Sequence, residues 1–472
     1  MYSSRRGFAV GEQTGFFSGA REDEQSGFSP FIEGDARWAP AFTWPPTIGS
    51  LRGCCHLAEG LSVPTATPSV LIVTRTFPPD PAAVGQLVAE LARELAGRGW
   101  RVGIATTSPA GESTEPIAGV EVARVASRFA FTRASTLRRA LSYLSIFPAL
   151  LWAAWQLPGR WDFIVTTSDP PLQVLVGPLL RAAKGGRLIQ WSQDLYPEIA
   201  EELEVLKRDG PVARALRALS NWGLRRCDLV LVPGRCMAAR LRQRGTPGDR
   251  IRVVPNWSDP ARVRPVDRRE NAFRREQGIS ETTFVAMYSG NIGLAHRFEA
   301  ILGAAGRLGT ARPEILFLIV GDGPRAESVR ADATRLKLPN VRFLPLQPRE
   351  RLTESLGAAD VHLVTMSARL CGLVVPSKFY GVLAAGRPCV FVGPAESEVA
   401  AVIRETGCGV VVNEGDEVAL AAALTGFADG PAAHARAGMA ARVAAEQYSL
   451  SACTDKLLAA WQMKDQTAGE GV

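Results

Sequence analysis

Short apolar runs alternate with helical patterns along most of this chain, and that alternation limits its fold more than any other feature. From Val70 the sequence reads VLIVTRTF, a buried strand, followed by a turn and the amphipathic helical pattern LVAELARELAGRGW. The apolar runs RVGIATT, DFIVTTS, RLIQWSQ, DLVLVPG and IRVVPN continue this rhythm to Pro255 and Asn256. Strands that alternate with helices predict a parallel sheet covered on both faces.

The pattern restarts after Asn256 with the strand-like runs TFVAMYSGN, ILFLIVGDG, VRFLPL, VHLVTM, CVFVG and GVVV. The sequence therefore predicts an α/β protein with two doubly wound Rossmann-like domains, residues 66–255 and 256–440, that face an interdomain cleft. In such sheets ligands bind beyond the carboxyl ends of the strands. Residues 441–472 are predicted to form a helix that crosses back to the first domain, and a tail. Residues 1–65 lack periodicity and predict a disordered extension.

The composition limits which partners and which cellular compartment are expected for the protein. The formal net charge of +7 suits phosphorylated ligands or an anionic membrane surface, or it reflects arginines on solvated faces. Basic patches interleaved with aromatics are not found, so nucleic acid is not an expected partner. The eight cysteines form no CxxC pair, which indicates free thiols in a reducing compartment. The segment SSRRGF is not followed by an apolar run, so it does not predict an export signal.

One uncharged segment interrupts the rhythm. ALSYLSIFPALLWAAWQLP, residues 140–158, carries no charge, and Trp152, Trp155 and Trp161 lie towards or just beyond its C-terminal end. As a helix, over about 138–158, it fits the membrane interface, with tryptophans and arginines at headgroup level. A buried core helix and a true membrane span are the alternatives, and Pro148 and the flanking strands speak against a span.

Glycine turns after strands are the stretches most suited to binding. Gly85 follows the first strand, and residues 288–293 (YSGNIG) and 320–324 (VGDGP) are similar turns in the second domain. In PSKFYGVLAAGRP, Pro376 opens a short helix and Lys378 lies in its first turn, where a cation opposes the helix dipole. Together these turns favour a diphosphate ligand, although each alone is also an ordinary tight turn. Fingerprints of nicotinamide dehydrogenases, P-loop enzymes and α/β-hydrolases are absent from the sequence.

A set of motifs in fixed order resembles a known family. FPPDPAAVGQLVAELARELAGRGWRV, TTSDPPL, DLYPE, RVVPNWSD, YSGNIG, LIVGDGP, NVRFLP and PSKFYGVLAAGRP follow one another between about residues 70 and 461. The chain is similar to retaining family 4 glycosyltransferases of the GT-B fold. The resemblance is greatest to the bacterial subgroup that builds O-antigen, capsule and exopolysaccharide.

This resemblance implies a UDP- or GDP-sugar donor in the second domain and an acceptor, often a polyprenyl-diphosphate-linked saccharide, in the first. It implies work at the inner face of the plasma membrane without a metal or other cofactor. The residues it assigns fall into three groups. They are the catalytic Asp194, Arg297 and Lys378; the donor-binding Gly290, Asn291, Gly321, Asp322, Leu346, Pro376 and Ser377; and the acceptor-side Gly85, Gln86 and Glu198. For Asp194 the alternative role is to cap a helix that starts at Pro197.

The chain departs from the family where two glutamates are expected. Leu373 and Gly381 stand at the positions of the family's E-x7-E pair, whose second member usually holds the donor ribose. A histidine common in the family near the acceptor also has no match around Gln193. Two other interpretations therefore stay open: a non-catalytic GT-B subunit of a polysaccharide assembly, and a nucleotide-sugar 2-epimerase. The uncharged segment at 140–158 speaks against an epimerase.

Overall fold

The structure is a computed structural model that describes residues 67–80, 82–108, 117–126 and 136–462. Contact clustering divides the chain into residues 1–63 and residues 64–472, and every described residue belongs to the second unit. The extension predicted for residues 1–65 lies outside the described residues.

A seven-stranded parallel sheet forms the first domain of the described chain. Its strands are Ser69–Val73 (β1), Arg101–Ser108 (β2), Val120–Ala126 (β3), Phe163–Thr167 (β4), Arg187–Trp191 (β5), Leu229–Val232 (β6) and Ile251–Val253 (β7). They lie in the order β3-β2-β1-β4-β5-β6-β7. The sequence analysis did not predict β3, whose segment VEVARVA is a partly exposed edge strand rather than a buried run.

The second domain holds a six-stranded parallel sheet. Its strands are Phe284–Ser289 (β8), Ile315–Val320 (β9), Val341–Leu344 (β10), Val361–Thr365 (β11), Cys389–Val392 (β12) and Gly409–Val412 (β13). They lie in the order β10-β9-β8-β11-β12-β13. Parallel pairing aligns the carboxyl ends of the strands at one edge, so the loops after β8, β9 and β11 come together there.

Helices connect the strands of both sheets. In the first domain they are Ala83–Gly97 (α1), Thr136–Gln156 (α2), Gly177–Lys184 (α3), Glu198–Glu202 (α4), Pro211–Leu224 (α5) and Arg235–Gln243 (α6). In the second domain they are Ala272–Glu276 (α7), Glu299–Ala311 (α8), Ala326–Arg335 (α9), Leu352–Gly357 (α10), Lys378–Ala384 (α11), Glu398–Thr406 (α12), Glu417–Asp429 (α13), Pro431–Gln447 (α14) and Leu450–Gln462 (α15).

The single helix predicted after residue 440 is two helices, α14 and α15. The chain turns at Tyr448 and Ser449, and the Ser449 hydroxyl accepts a hydrogen bond from the N–H of Ala452 in the first turn of α15. Helix α15 packs beside α1 on the first domain, where the Trp461 ring stacks on Phe163 with ring centroids 5.1 Å apart. The C-terminal helix thus joins the core of the first domain.

Helix α2 divides its side chains between the core and the outside. Ile146 and Leu150 are buried against the first sheet, whereas Trp152 and Trp155 are 60% and 64% exposed. The sequence analysis grouped Trp161 with these two tryptophans. In the structure Trp161 lies apart from them, because it is buried beside Gly103 in the core. Across the described residues no helix has both the length and the apolar character needed to cross a membrane.

The two sheet domains contact each other directly. The N–H of Leu195, after β5, donates to the carbonyl of Leu373 at 3.0 Å. Arg235, at the start of α6, pairs with Glu398 of α12 at 3.0 Å and with Glu405 at 2.5 Å. These contacts bring the carboxyl edges of the two sheets to opposite sides of one cleft.

Candidate active site

Two glycine turns form the floor of the site in the second domain. The N–H of Gly290, after β8, donates to the carbonyl of Val320, and the N–H of Ile292 donates to the carbonyl of Asp322 at 2.8 Å. Gly321 has φ +153°, and a Cβ there would lie 2.0 Å from the carbonyl oxygen of Gly290. Only glycine fits such a close approach of two backbones. The turns predicted to bind the donor therefore lie against each other.

Lys378 reaches these turns from the first turn of α11. Its Cε lies 3.3 Å from the point where a Cβ on Gly290 would stand. Its Nζ donates to the Tyr288 hydroxyl, lies 3.8 Å from the centroid of that ring, and lies 3.5 Å from Nε2 of His296. Burial lowers the pKa of Lys378 well below its ordinary value. An anion bound beside this amine would favour its protonated form.

His296 is a second nitrogen base beside Lys378. Its Nδ1 lies 2.7 Å from the carbonyl oxygen of Thr365 and must donate to it, which leaves Nε2 as an acceptor towards Lys378. Burial, followed by the neighbouring charge of Lys378, lowers the pKa of His296 to about 3. The imidazole is therefore neutral at physiological pH and can accept a hydrogen bond from Nζ of Lys378.

Arg297 points to carboxylates. Its guanidinium lies 3.3 Å from Glu414 and 3.9 Å from Glu299, and its side chain is 40% exposed. The structure thus places His296, and not the predicted Arg297, beside Lys378.

The other predicted donor residues differ in their exposure. Asn291 and Asp322 are exposed, and an oxygen of the Asp322 carboxylate accepts from the N–H of Gly323 at 2.7 Å. Pro376 is buried, and the Ser377 side chain makes no capping hydrogen bond to α11. Leu346 is 55% exposed in the stretch that follows β10.

Asp194 lies across the cleft, after β5. Its N–H donates to the Ser168 hydroxyl at 3.1 Å, and its backbone forms an antiparallel bridge with Val374. Because the next residue, Leu195, also bonds Leu373, the DLYPE motif is joined to the loop that leads into α11. Asp194 and the loop that leads to Lys378 therefore meet at the domain junction.

The environment of the Asp194 carboxyl favours its neutral form. Burial, followed by the charge of Asp169, raises its pKa to about 7. Helix α4 has no side-chain cap, so the alternative role of Asp194 as a helix cap is wrong. Asp194 instead lines a small, mostly apolar cavity, where its polar neighbours are Ser168, Gln190, Ser192, Tyr196, Ser220 and Arg244.

The predicted acceptor-side residues serve packing and domain contacts. A Cβ on Gly85 would lie 2.9 Å from the backbone of Thr76, so this glycine is required for α1 to pack closely on the turn before it. The Gln86 side chain accepts from Arg349 of the second domain at 2.5 Å. Glu198 pairs with Arg217 at 3.2 Å and with Arg244 at 3.3 Å.

Leu373 and Gly381 present no carboxylate to the site. Leu373 is 1% exposed and joins the two domains through its carbonyl, while Gly381 faces the Leu356 side chain. The described residues also contain no group of three or more His, Cys, Asp or Glu side chains arranged to hold a metal ion.

Two facing parallel-sheet domains with a glycine-lined cleft define the class as a GT-B protein. Residues 82–257 match the model of the glycosyl transferase 4-like domain, and residues 269–444 match glycosyl transferases group 1. The chain therefore belongs to the GT4-type glycosyltransferases by both of its domains.

Known proteins show how far this likeness extends. WbjE of Pseudomonas aeruginosa, assigned as a glycosyltransferase, is 30% identical over 263 residues, which cover 56% of this chain and 65% of WbjE, just under two thirds. WcaI of Escherichia coli K12, assigned as a colanic acid biosynthesis glycosyl transferase, is 27% identical over 73% of this chain and 87% of its own. Anabaena HepE in complex with UDP-glucose shares the fold, with TM-score 0.63 and 14% identity over 83% of this chain and 98% of HepE.

Proposed function

We propose that this chain transfers a sugar from a nucleotide-sugar donor to a saccharide acceptor, with retention, in the assembly of a cell-surface polysaccharide. The observation that carries the proposal is the position of the Lys378 amine beside Gly290 in the turn after β8, against which the turn after β9 packs. WcaI supports the polysaccharide context, and the complex of HepE with UDP-glucose supports a UDP-sugar donor, with a GDP-sugar as the alternative.

The chemistry follows from where negative charge develops. As the glycosidic bond of the donor breaks, charge grows on the departing nucleoside diphosphate. A lysine cation and backbone N–H groups fixed beside that diphosphate stabilise the transition state more than the ground state. In this proposal Lys378 supplies the positive charge, so no metal is required. Asp194, on the opposite wall, orients the acceptor hydroxyl, which attacks from the face that the diphosphate leaves.

The surface of the first domain supports a lipid-linked acceptor, such as a polyprenyl-diphosphate saccharide. Trp152 and Trp155 project from α2, and the adjoining helices expose Leu179 on α3 and Trp222 on α5. The Arg226 guanidinium lies 3.7 Å from the Trp222 ring centroid. Exposed tryptophans beside basic groups are typical of surfaces that lie in a membrane interface. We place the protein peripherally at the inner face of the plasma membrane.

A panel of labelled nucleotide sugars, incubated with the purified protein and membranes, tests the transfer. We expect label from one donor to enter the lipid-extractable fraction and the anomeric configuration to be retained in the product. Label that stays on the nucleotide but changes to an epimeric sugar would instead identify a 2-epimerase.

The alternative of a non-catalytic binding subunit is favoured by Leu373 and Gly381, which stand where the family has carboxylates. UDP binding seen by calorimetry, without transfer from any donor to any membrane acceptor, would select this alternative.

A further inference from the structure

We propose that Tyr288 and His296 are positioning residues that hold the Lys378 ammonium group in place for the donor diphosphate. This inference rests on the proposed function and adds two residues that the family motifs do not assign. Neither residue is placed in contact with the substrate, because both act through Lys378.

Tyr288 links the lysine to the turn beneath it. The residue is fully buried at the end of β8, and its hydroxyl accepts from Lys378 while donating to the carbonyl of Asn291 at 2.6 Å. One hydroxyl thus fixes both the cation and the backbone of the turn that contains Gly290. The Tyr288 ring adds an electrostatic contribution, because the ammonium lies 3.8 Å from its centroid.

The ring of Tyr288 is itself fixed by its neighbours. Phe298 contacts it edge-on with centroids 4.8 Å apart, and His296 does so at 5.8 Å. A ring held on two sides cannot swing to follow a mobile lysine, so the lysine adapts to the ring. The position of the charge is therefore set by the strand β8 and not by the flexible lysine stem.

His296 supplies a second acceptor. Its Nδ1 is committed to the carbonyl of Thr365, so the Nε2 lone pair faces the ammonium at 3.5 Å. An ammonium group carries three N–H donors. With two directed at Tyr288 and His296, the third remains for a ligand over Gly290.

The Tyr288→Phe variant tests this arrangement because it keeps the ring and removes only the hydroxyl. The diphosphate carries more negative charge in the transition state than in the bound donor, so displacement of the cation affects turnover more than donor binding. We expect kcat to fall about tenfold or more, while KM for the donor changes less than threefold. The matched control is Tyr380→Phe, at an equally buried tyrosine on α11, which should keep kcat within twofold of the wild type. A Tyr288→Phe enzyme with wild-type kcat, or one altered in KM alone, would overturn the proposal.

A second measurement does not depend on catalysis. The chain contains only six lysines, so selective 15N-lysine labelling gives few side-chain 15Nζ signals, and Lys378→Arg identifies the one from Lys378. We expect this signal to move on addition of UDP in the wild type, and to be lost or shifted in Tyr288→Phe without UDP. An unchanged Lys378 signal in Tyr288→Phe contradicts the positioning role whether or not the protein transfers sugar. Failure of the wild type to transfer sugar, with the expected NMR change present, contradicts the proposed function alone.

Discussion

The Lys378 amine is held close to neutral aromatic and imidazole groups, and the described residues place no carboxylate within ion-pairing distance of it. When a bound anion favours its protonated form, its positive charge therefore faces that ligand and not a carboxylate. We expect Lys378→Ala to lower kcat/KM for the donor about 100-fold or more, which is the usual effect of removing one group that stabilises developing charge. Steady-state transfer assays check this, with the exposed Lys207→Ala as the matched control. Equal activity of the two variants would show that Lys378 has no part in the reaction.

Asp194 gives a prediction about pH. Its pKa is raised to about 7 in the folded chain, so between the unfolded pKa of about 4 and pH 7 the folded state holds a proton that the unfolded state has lost. The free energy of unfolding therefore falls as pH rises through this window. Asp194→Asn removes the effect, so its stability relative to the wild type should increase from pH 5 to pH 8. The increase should be on the order of 2 kcal/mol, because one pKa unit corresponds to about 1.4 kcal/mol and the wild type loses its proton near pH 7.

Thermal unfolding of both proteins at the two pH values gives this difference directly. A constant difference in melting temperature across the range would mean that Asp194 ionises like an ordinary surface carboxyl.

No steric constraint requires a glycine at position 381 in α11. Its φ is not positive, and a Cβ there would lie 3.5 Å from the Leu356 side chain, an ordinary contact. Gly381→Ala should therefore raise the free energy of unfolding by about 0.5–1 kcal/mol. Gly386→Ala is the contrasting variant, because Gly386 has φ +62° and its Cβ would lie 2.9 Å from Pro265, so it should destabilise. Urea denaturation distinguishes the two, and destabilisation by both would mean that α11 tolerates no added methyl group.

At this scale the sequence predicted which turns approach each other but not how side chains meet across them. Lys378 and the turn at Gly290 were both predicted, and the structure brings them together. Tyr288 was missed because an aromatic residue in an apolar strand looks like any core residue. His296 and Arg297 are adjacent in sequence, and only the direction of the chain after the turn decides which one faces the lysine.

At the scale of elements, helix α2 is the one that we expect to bind a membrane surface. We expect the double variant Trp152→Ser, Trp155→Ser to bind vesicles containing anionic lipid at least tenfold more weakly, because both side chains are well exposed on one helix. The matched control is Met439→Ser, Val443→Ser on α14, which removes two equally exposed apolar side chains from the other domain. Vesicle co-sedimentation measures both, and an equal loss in the control would mean that binding follows general hydrophobicity rather than this helix.

Elements were predictable where a single physical signal dominates. Most of the parallel strands are short apolar runs, and the sequence analysis predicted twelve of the thirteen described strands. The edge strand β3 alternates apolar and polar residues and gives a weaker signal. The break between α14 and α15 was missed because neither Tyr448 nor Ser449 is a strong helix breaker.

At the scale of the whole molecule, the two domains are joined by charge pairs at the cleft. Arg349 pairs with Glu90 of α1, and Arg369 pairs with Glu204 at 3.1 Å. Arg235 is paired with both Glu398 and Glu405, and the Glu398 side chain is only 6% exposed. Pairing between domains is a property that sequence patterns cannot give, because each partner alone looks like a surface charge.

The ion pairs of Arg235 with Glu398 and Glu405 allow a test of what holds the two domains together. Arg235→Ala leaves the buried Glu398 carboxylate with the backbone N–H of residue 235 but without its cation, and a buried charge that loses its partner destabilises the contact around it. We expect the domains to separate in part, seen as a larger radius of gyration in small-angle scattering and a melting temperature lower by several degrees. The control is Arg335→Ala, which removes an exposed pair with Asp332 inside one helix and should change neither quantity. If Arg235→Ala keeps the wild-type radius of gyration, the backbone bridge between Asp194 and Val374 is sufficient to hold the domains together.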